Sequence, residues 1–189
     1  MNVIETDIKG LLVIEPRIFN DDRGYFYESY NKEKFAEAGI AVNFVQDNQS
    51  FSHKGAVRGL HGQAEPFAQG KLVRVITGRV LDIAVDIRKG SPTYGKHFSI
   101  ELSGENKKQF WIPAGFLHGF AVLEDNTIFT YKVNNYYDKA SEIGVIWNDP
   151  TLNIDWGLLP GEALLSPKDE LLPSFKDFTS PFWTGINGF

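Results

Sequence analysis

The sequence predicts an all-β protein: a sandwich or barrel of short strands with a few short peripheral helices. Three observations carry that prediction. In the clearest segments apolar and polar residues alternate with a period of two, the spacing of a strand rather than a helix. Gly, Pro and Asn recur between those segments, where turns require them. Phe, Tyr and Trp make up 14% of the 189 residues, and aromatic rings suit the pleated surface of a sheet.

The elements follow in chain order. Asn20-Asp-Asp-Arg-Gly24 reads as a turn into a strand over residues 25–30. A short helix comes next, with Asn31 as its cap, Phe35 on its apolar face and Gly39 at its end. Residues 71–77 and 80–88 are strands, with Gly78 turning between them. In the second, Leu81, Ile83, Val85 and Ile87 alternate with Val80, Asp82, Ala84 and Asp86. A second hairpin is expected from Gly119 to Val133, turning at Glu124-Asp125-Asn126. Beyond residue 150, prolines and short apolar runs predict turns and another short helix. No repeat, low-complexity tract or Pro/Ser linker divides the chain, so residues 1–189 read as a single domain with short N- and C-terminal extensions.

Charge and composition narrow the function. The net charge is −5 and no Lys/Arg stripe stands out, which argues against polymeric nucleic acid as a partner. A small anionic ligand remains compatible, because it needs only a few local cations. No apolar run approaches the roughly 20 residues that span a bilayer, so no membrane association is expected. The start, MNVIETDIKG, lacks a signal-peptide pattern, and a cytoplasmic location is expected. The chain has no cysteine, which removes disulfides and thiolate metal sites.

Two segments carry candidate chemistry. One is Gly55-Ala-Val-Arg-Gly-Leu-His61-Gly-Gln63, followed by Lys71 and Gly78; the other is Pro113-Ala-Gly-Phe-Leu-His118. Together they resemble the two motifs of the cupins, which implies a cupin or jelly-roll β-barrel. Metal-binding cupins carry a second His where this chain has Gln63, and a Glu where it has Lys71. An ammonium repels a divalent cation, and His61 with His118 are too few ligands for a stable site. The expectation is a cupin-shaped pocket without metal, in which Lys71 attracts an anion or stabilises developing negative charge.

A longer ordered series narrows the resemblance. It comprises Asp22-Arg23-Gly24-Tyr-Phe-Tyr-Glu28, Gln46-Asp47-Asn48-Gln-Ser50, Arg58-Gly-Leu-His61, Gln69-Gly-Lys71, Asp86-Ile-Arg88, Trp111-Ile-Pro113-Ala-Gly115-Phe-Leu-His118-Gly119-Phe120, Tyr131-Lys132, Trp147-Asn148-Asp149-Pro150 and Leu165-Ser166-Pro-Lys168-Asp169. Over roughly residues 10 to 173 the series is similar to the dTDP-4-dehydrorhamnose 3,5-epimerase family. Each motif alone is weak; nine in one order are specific.

The resemblance implies a dTDP-sugar substrate, a homodimer and no cofactor. It assigns the reaction to His61, Tyr131, Asp169 and Lys71: His61 as base, Asp169 orienting it, Tyr131 as acid and Lys71 on the oxyanion. Substrate binding falls to Arg23, Glu28, Gln46, Asp47, Asn48, Arg58, Lys71, His118, Glu142 and Lys168, with Arg58 and Lys168 on the diphosphate. Three other readings compete: a single-site epimerase acting at C3 or C5, a metal-dependent cupin, and a non-catalytic sugar-nucleotide binder. His53 and His97 fit no motif and read as surface residues.

One geometric condition attaches to this site. Arg58 and His61 are three residues apart, so a regular strand sends them to opposite faces. For both to face one pocket, Gly59 must break the alternation with a bulge or kink. Gly62 stands where the family has a bulky residue, whose side chain is expected to point away from the base.

Overall fold

Two antiparallel sheets face each other in the computed structural model, which describes residues 1–184. The strands are β1 (Asn2–Glu5), β2 (Leu12–Glu15), β3 (Phe19–Asp21), β4 (Gly24–Phe26), β5 (Gln46–Ser52), β6 (Val57–Gln63), β7 (Lys71–Thr77), β8 (Arg79–Asp86), β9 (His97–Ser103), β10 (Gln109–Ile112), β11 (Phe116–Val122), β12 (Thr127–Val133) and β13 (Glu142–Gly144). One sheet has the order β1-β2-β10-β7-β12-β5 and the other β13-β6-β11-β8-β9; β3 and β4 form a separate ribbon. This is the jelly-roll architecture that the cupin-like motifs imply.

Three apolar layers hold the sheets. Between them lie Val73, Val75, Phe110 and Phe129 from one side and Val80, Ala84, Phe116, Phe120 and Val122 from the other. The outer face of the five-stranded sheet buries Val57, Ile83, Val85, Leu117 and Ala121 beneath Leu152, Trp156 and Phe182 of the C-terminal segment. The outer face of the six-stranded sheet buries Ile14, Leu72 and Trp111 against Phe35 and Ile40. Each fully buried ring contributes about 1.5–3 kcal/mol. Truncating Phe129, stacked on Phe120 at 4.1 Å, to alanine costs about 3–5 kcal/mol.

The predicted helix is α1 (Lys32–Glu37), and Asn31 caps it by accepting from the backbone N–H groups of Glu33 and Lys34. Asp169–Leu171 supplies the short helix expected after residue 150, as a single 3-10 turn. No helix among the described residues is long and apolar enough to cross a membrane.

Four expectations need correction. The strand expected over 25–30 stops at Phe26, because its partner β3 is only three residues long. The chain then leaves to join the large sheet's side chains: Arg74 donates to the Tyr27 hydroxyl and Gln109 to the Ser29 carbonyl. The strand expected to Arg88 ends at Asp86, whose carboxylate accepts from the Arg88 backbone N–H and turns the chain.

The two expected hairpins are in fact crossings between sheets. β7 pairs with β10 and β12, whereas β8 pairs with β11 and β9. β11 and β12 likewise sit in opposite sheets. The turns fall where expected, but each carries the chain around a corner. At one corner a Cβ on Gly78 (φ +79°) would meet Thr127 Oγ1 at 2.2 Å, so only glycine fits.

Candidate active site

A cavity of about 460 Å³ opens between the sheets. The five-stranded sheet lends it Arg58 and His61 from β6 and His118 and Phe120 from β11; the six-stranded sheet lends Asn48 and Ser50 from β5, Lys71 from β7 and Tyr131 from β12. Ser166, Lys168 and Asp169 approach from the C-terminal segment.

Gly59 meets the geometric condition. His118 pairs with His61 and Phe120 with Arg58, so two steps along β11 match three along β6. Gly59 absorbs the extra residue at φ +125°, with Gly119 packed so close that a Cβ would lie 2.5 Å from its Cα. Arg58 and His61 therefore line the same cavity.

His61 Nε2 lies 2.7 Å from Asp169 Oδ1. Asp169 is buried. Burial works against its charge, but the His61 ring, the Gly59 N–H and the Ser166 hydroxyl together hold its carboxyl below the usual carboxylate range. An ionised Asp169 can fix the imidazole tautomer and stabilise the imidazolium once it forms.

The Lys71 ammonium makes no hydrogen bond or ion pair among the described residues. Burial pushes its ammonium down to about 8, against the opposing pull of Asp82 and Glu142. The Tyr131 hydroxyl also lacks a hydrogen-bond partner among the described residues. Burial raises its phenol above the ordinary value, with the nearby Arg58 charge working the other way, so it enters neutral solution as a proton donor. Arg58 donates to Ser52 Oγ at 3.1 Å. Lys168 pairs with Glu142, which also accepts from the Tyr137 hydroxyl at 2.8 Å.

Other predicted site residues lie outside this cavity. Arg23 is exposed on the β3–β4 ribbon and paired with Asp21. Glu28 binds Lys34 and Asn31. Asp47 pairs with Lys132, because strand alternation turns it away from Asn48. Gln46 reaches only as far as Asn48 Oδ1, at 2.9 Å. His53 is exposed, whereas His97 is half-buried rather than fully on the surface.

Two polar groups at the site escaped the sequence reading. Asp82 is buried and holds His118 Nε2 at 3.0 Å from each carboxylate oxygen. Its signal was a carboxylate set between Val80 and Ala84 in an otherwise apolar stretch over residues 80–85. The Ser50 hydroxyl is the one buried side-chain polar atom among the described residues without a partner.

The donor set does not suit a metal. Gln63, at the second ligand position of the motif, is occupied by backbone: its amide donates to the Phe67 and Tyr136 carbonyls and its oxygen accepts from Asp138 N–H. Each histidine is bound by its own carboxylate, and an ammonium shares their cavity. Among the described residues no three His, Asp or Glu side chains converge.

A family model described as dTDP-4-dehydrorhamnose 3,5-epimerase matches residues 5–177. The chain belongs to this family. A dTDP-4-dehydrorhamnose 3,5-epimerase from Shigella flexneri is 56% identical over 170 residues, covering 89% of this chain and 93% of that one. The crystal structure of the epimerase from Elizabethkingia anophelis NUHP1 superposes with a TM-score of 0.90 at 49% identity, covering 95% of this chain and 99% of that one. The Legionella pneumophila enzyme in complex with dTDP-4-keto-L-rhamnose gives the same TM-score at 50% identity, with 94% of each chain covered. At that TM-score the fold of the two solved epimerases is the fold of this chain.

Proposed function

We propose that this chain inverts C3 and C5 of dTDP-4-dehydro-6-deoxy-glucose, forming dTDP-4-dehydro-L-rhamnose. The observation that carries the reading is the placement of His61 and Tyr131 on opposite sheets of one cavity, with Lys71 between the same walls. Epimerisation needs a base on one face of the sugar, an acid on the other, and a cation near the ketone.

The C3 and C5 hydrogens are both alpha to the C4 ketone. Neutral His61 removes one as a proton, the C–H pair moves to form the enolate, and Asp169 steadies the imidazolium. The Lys71 ammonium stabilises the charge on O4. Tyr131 then gives its proton to the same carbon from the opposite face. Base and acid are reset by exchange with solvent, which reaches the partly exposed His61 ring. A proton leaves and a proton returns, so the carbon oxidation state is unchanged and no redox cofactor is required.

Arg58 and Lys168 are the cations for the diphosphate. Asn48 lines the same cavity and is assigned to the sugar nucleotide, and Glu142 holds Lys168. Arg23, Glu28, Gln46 and Asp47 lie outside the chain's own cavity, which favours a homodimer in which ribbon residues reach the partner's site. Phe19, Tyr25 and Phe26 on that ribbon are 50%, 57% and 69% exposed, an apolar cluster of the kind that marks an interface. A biosynthetic enzyme for nucleotide sugars belongs in the cytoplasm.

Incubation with dTDP-4-dehydro-6-deoxy-glucose in heavy water, read by NMR, tests the reading. Deuterium is expected at both C3 and C5, and none with His61→Ala. Label at one carbon identifies a single-site epimerase. Binding of dTDP without exchange identifies a binder and ends the proposal.

A further inference from the structure

Gln63 stands at the second ligand position of the cupin-like motif, two residues along β6 from His61, yet the reaction as described gives it no role. Its side chain is buried and does not line the cavity. A buried carboxamide has two N–H donors and an acceptor oxygen to satisfy. Gln63 Nε2 donates to the Phe67 carbonyl at 2.7 Å and to the Tyr136 carbonyl at 3.1 Å, and Oε1 accepts from the Asp138 N–H at 2.7 Å.

The last two of these bonds bracket Tyr137. Residues 134–138 link β12 to a 3-10 turn (Lys139–Ser141) and belong to no strand or helix, so side chains must hold their backbone. Gln69 and Asn135 tie the first part of the segment: Gln69 Nε2 donates to the Asn135 carbonyl, and Asn135 Nδ2 donates to the Pro66 carbonyl. Beyond Asn135, the Tyr136 carbonyl and the Asp138 N–H have no hydrogen-bond partner but Gln63 among the described residues. Tyr137, exposed between them, donates its hydroxyl to Glu142 Oε2 at 2.8 Å. Glu142 stands opposite Gln63 in the β13–β6 pair, and its other oxygen holds the Lys168 ammonium. Lys168 lines the cavity.

Resting on the epimerase reading, in which Lys168 meets the diphosphate, we infer that Gln63 is a positioning residue for substrate binding: it fixes the chain on both sides of Tyr137, so that the Tyr137 hydroxyl orients Glu142 and Glu142 sets Lys168 at the cavity. The position that carries a metal ligand in metal-binding cupins thus organises an anion site. Gln63 lies outside the cavity, so its loss acts on binding and leaves the proton transfers alone. Gln63 and Tyr137 act in one chain of contacts, so their losses do not add.

The test is a double-mutant cycle. Gln63→Met keeps the length and removes every hydrogen bond of the side chain; Tyr137→Phe removes only the hydroxyl. The Kd of dTDP is measured by calorimetry, and KM and kcat by turnover of the sugar nucleotide. Gln63→Met is expected to raise Kd and KM about tenfold, with kcat changed less than about twofold. In the Tyr137→Phe protein it is expected to add less than about twofold to Kd. The neutral, branched Gln63→Leu passes through the same cycle, so the outcome does not depend on one variant folding. Tyr137→Phe alone is expected to weaken dTDP several-fold, and unchanged binding there overturns the inference even where both Gln63 variants fail to fold. Unchanged binding in a folded Gln63 variant overturns it too. So does a loss of kcat at unchanged KM, which would make Gln63 a support of His61, and so do losses that add in the double variant, which would make its role structural only. Wild-type protein that binds dTDP but exchanges no hydrogen at C3 or C5 overturns the epimerase reading instead, and the Kd cycle still decides the role of Gln63.

Discussion

His61 Nε2 and Asp169 Oδ1 lie 2.7 Å apart, although one belongs to the central strand β6 and the other to a 3-10 turn near the end of the chain. The Gly59 N–H and the Ser166 hydroxyl add to the pull that keeps the carboxylate charged, and the Asp169 N–H donates to Ser166 Oγ. In the proposed reaction the pair acts as a preassembled base. Asp169→Asn retains the size but offers His61 the wrong partner, which permits the wrong tautomer. Its kcat is expected to fall about 10²–10⁴-fold, with KM little changed because Asp169 acts through His61. A rise in KM at unchanged kcat would instead make Asp169 a binding group.

Lys71 lines the cavity with no hydrogen bond or ion pair to its ammonium among the described residues, and the proposed reaction gives it the charge that develops on O4. Lys71→Met preserves length and removes the donor. A loss of about 10²–10³-fold in kcat is expected, seen as slower exchange at both carbons. Because burial sets Lys71 at about 8, wild-type kcat/KM is expected to decline as pH rises through that value. A profile flat to pH 9.5 would remove Lys71 from the oxyanion role.

Gly59 lets Arg58 and His61 share one face of the pocket. An alanine there has to adopt φ +125° with its Cβ 2.5 Å from Gly119 Cα and 2.7 Å from the His118 carbonyl oxygen. Gly59→Ala is expected to cost about 2–5 kcal/mol by chemical denaturation. Gly24 provides the comparison: its φ is +128° but nothing lies within 4 Å of its missing Cβ, so Gly24→Ala is expected to cost about 1–2 kcal/mol. Equal costs would show that backbone angle alone, and not the close approach of β11, requires glycine at 59.

What was legible in the sequence was local. The Asn31 cap, the limits of β7 and the need for a break at Gly59 all follow from neighbours a few residues apart. The partners of β7 and β8 do not. A turn at Gly78 looks the same whether the next strand pairs back or crosses to a facing sheet, and only β10, β11 and β12 decide it. Alternation in β8 separated two rows but could not say which faced the cavity, because both are buried, one under the C-terminal segment. Asp82 was hidden for that reason. Arg23 and Glu28 were carried by resemblance, and their own chain leaves them on its surface.

Asp86 ties the end of β8 to the next turn. Burial opposes its charge, but bonds from the Arg88 guanidinium, Ser91, Thr93 and the Arg88 N–H hold it below the usual carboxylate range. A depressed folded pKa means that the stabilisation is complete above the unfolded value, about 3.9, and is lost as pH falls through the lower folded one. Tm is expected to hold from neutrality to about pH 5 and to drop below about pH 4. Asp86→Ala leaves Arg88 buried and unpaired, which costs about 3–5 kcal/mol at pH 7 and flattens the acid limb. An unchanged acid limb would assign the transition to other carboxylates.

Tyr131 stands on β12 with no hydrogen-bond partner for its hydroxyl among the described residues, while His61 approaches from the opposite sheet. The two therefore meet different faces of a bound sugar, and each should fail in its own way. Without His61 no proton leaves. Without the Tyr131 hydroxyl the enolate still forms, but the proton donor poised at its carbon is the imidazolium that has just taken a proton from the same face. Tyr131→Phe is thus expected to keep exchanging substrate hydrogen for deuterium in heavy water while inversion falls by about 10²–10⁴-fold. The labelled sugar should be recovered with its starting configuration. Inversion at the wild-type rate would place the acid elsewhere, and loss of exchange together with inversion would make Tyr131 part of the proton-abstracting step.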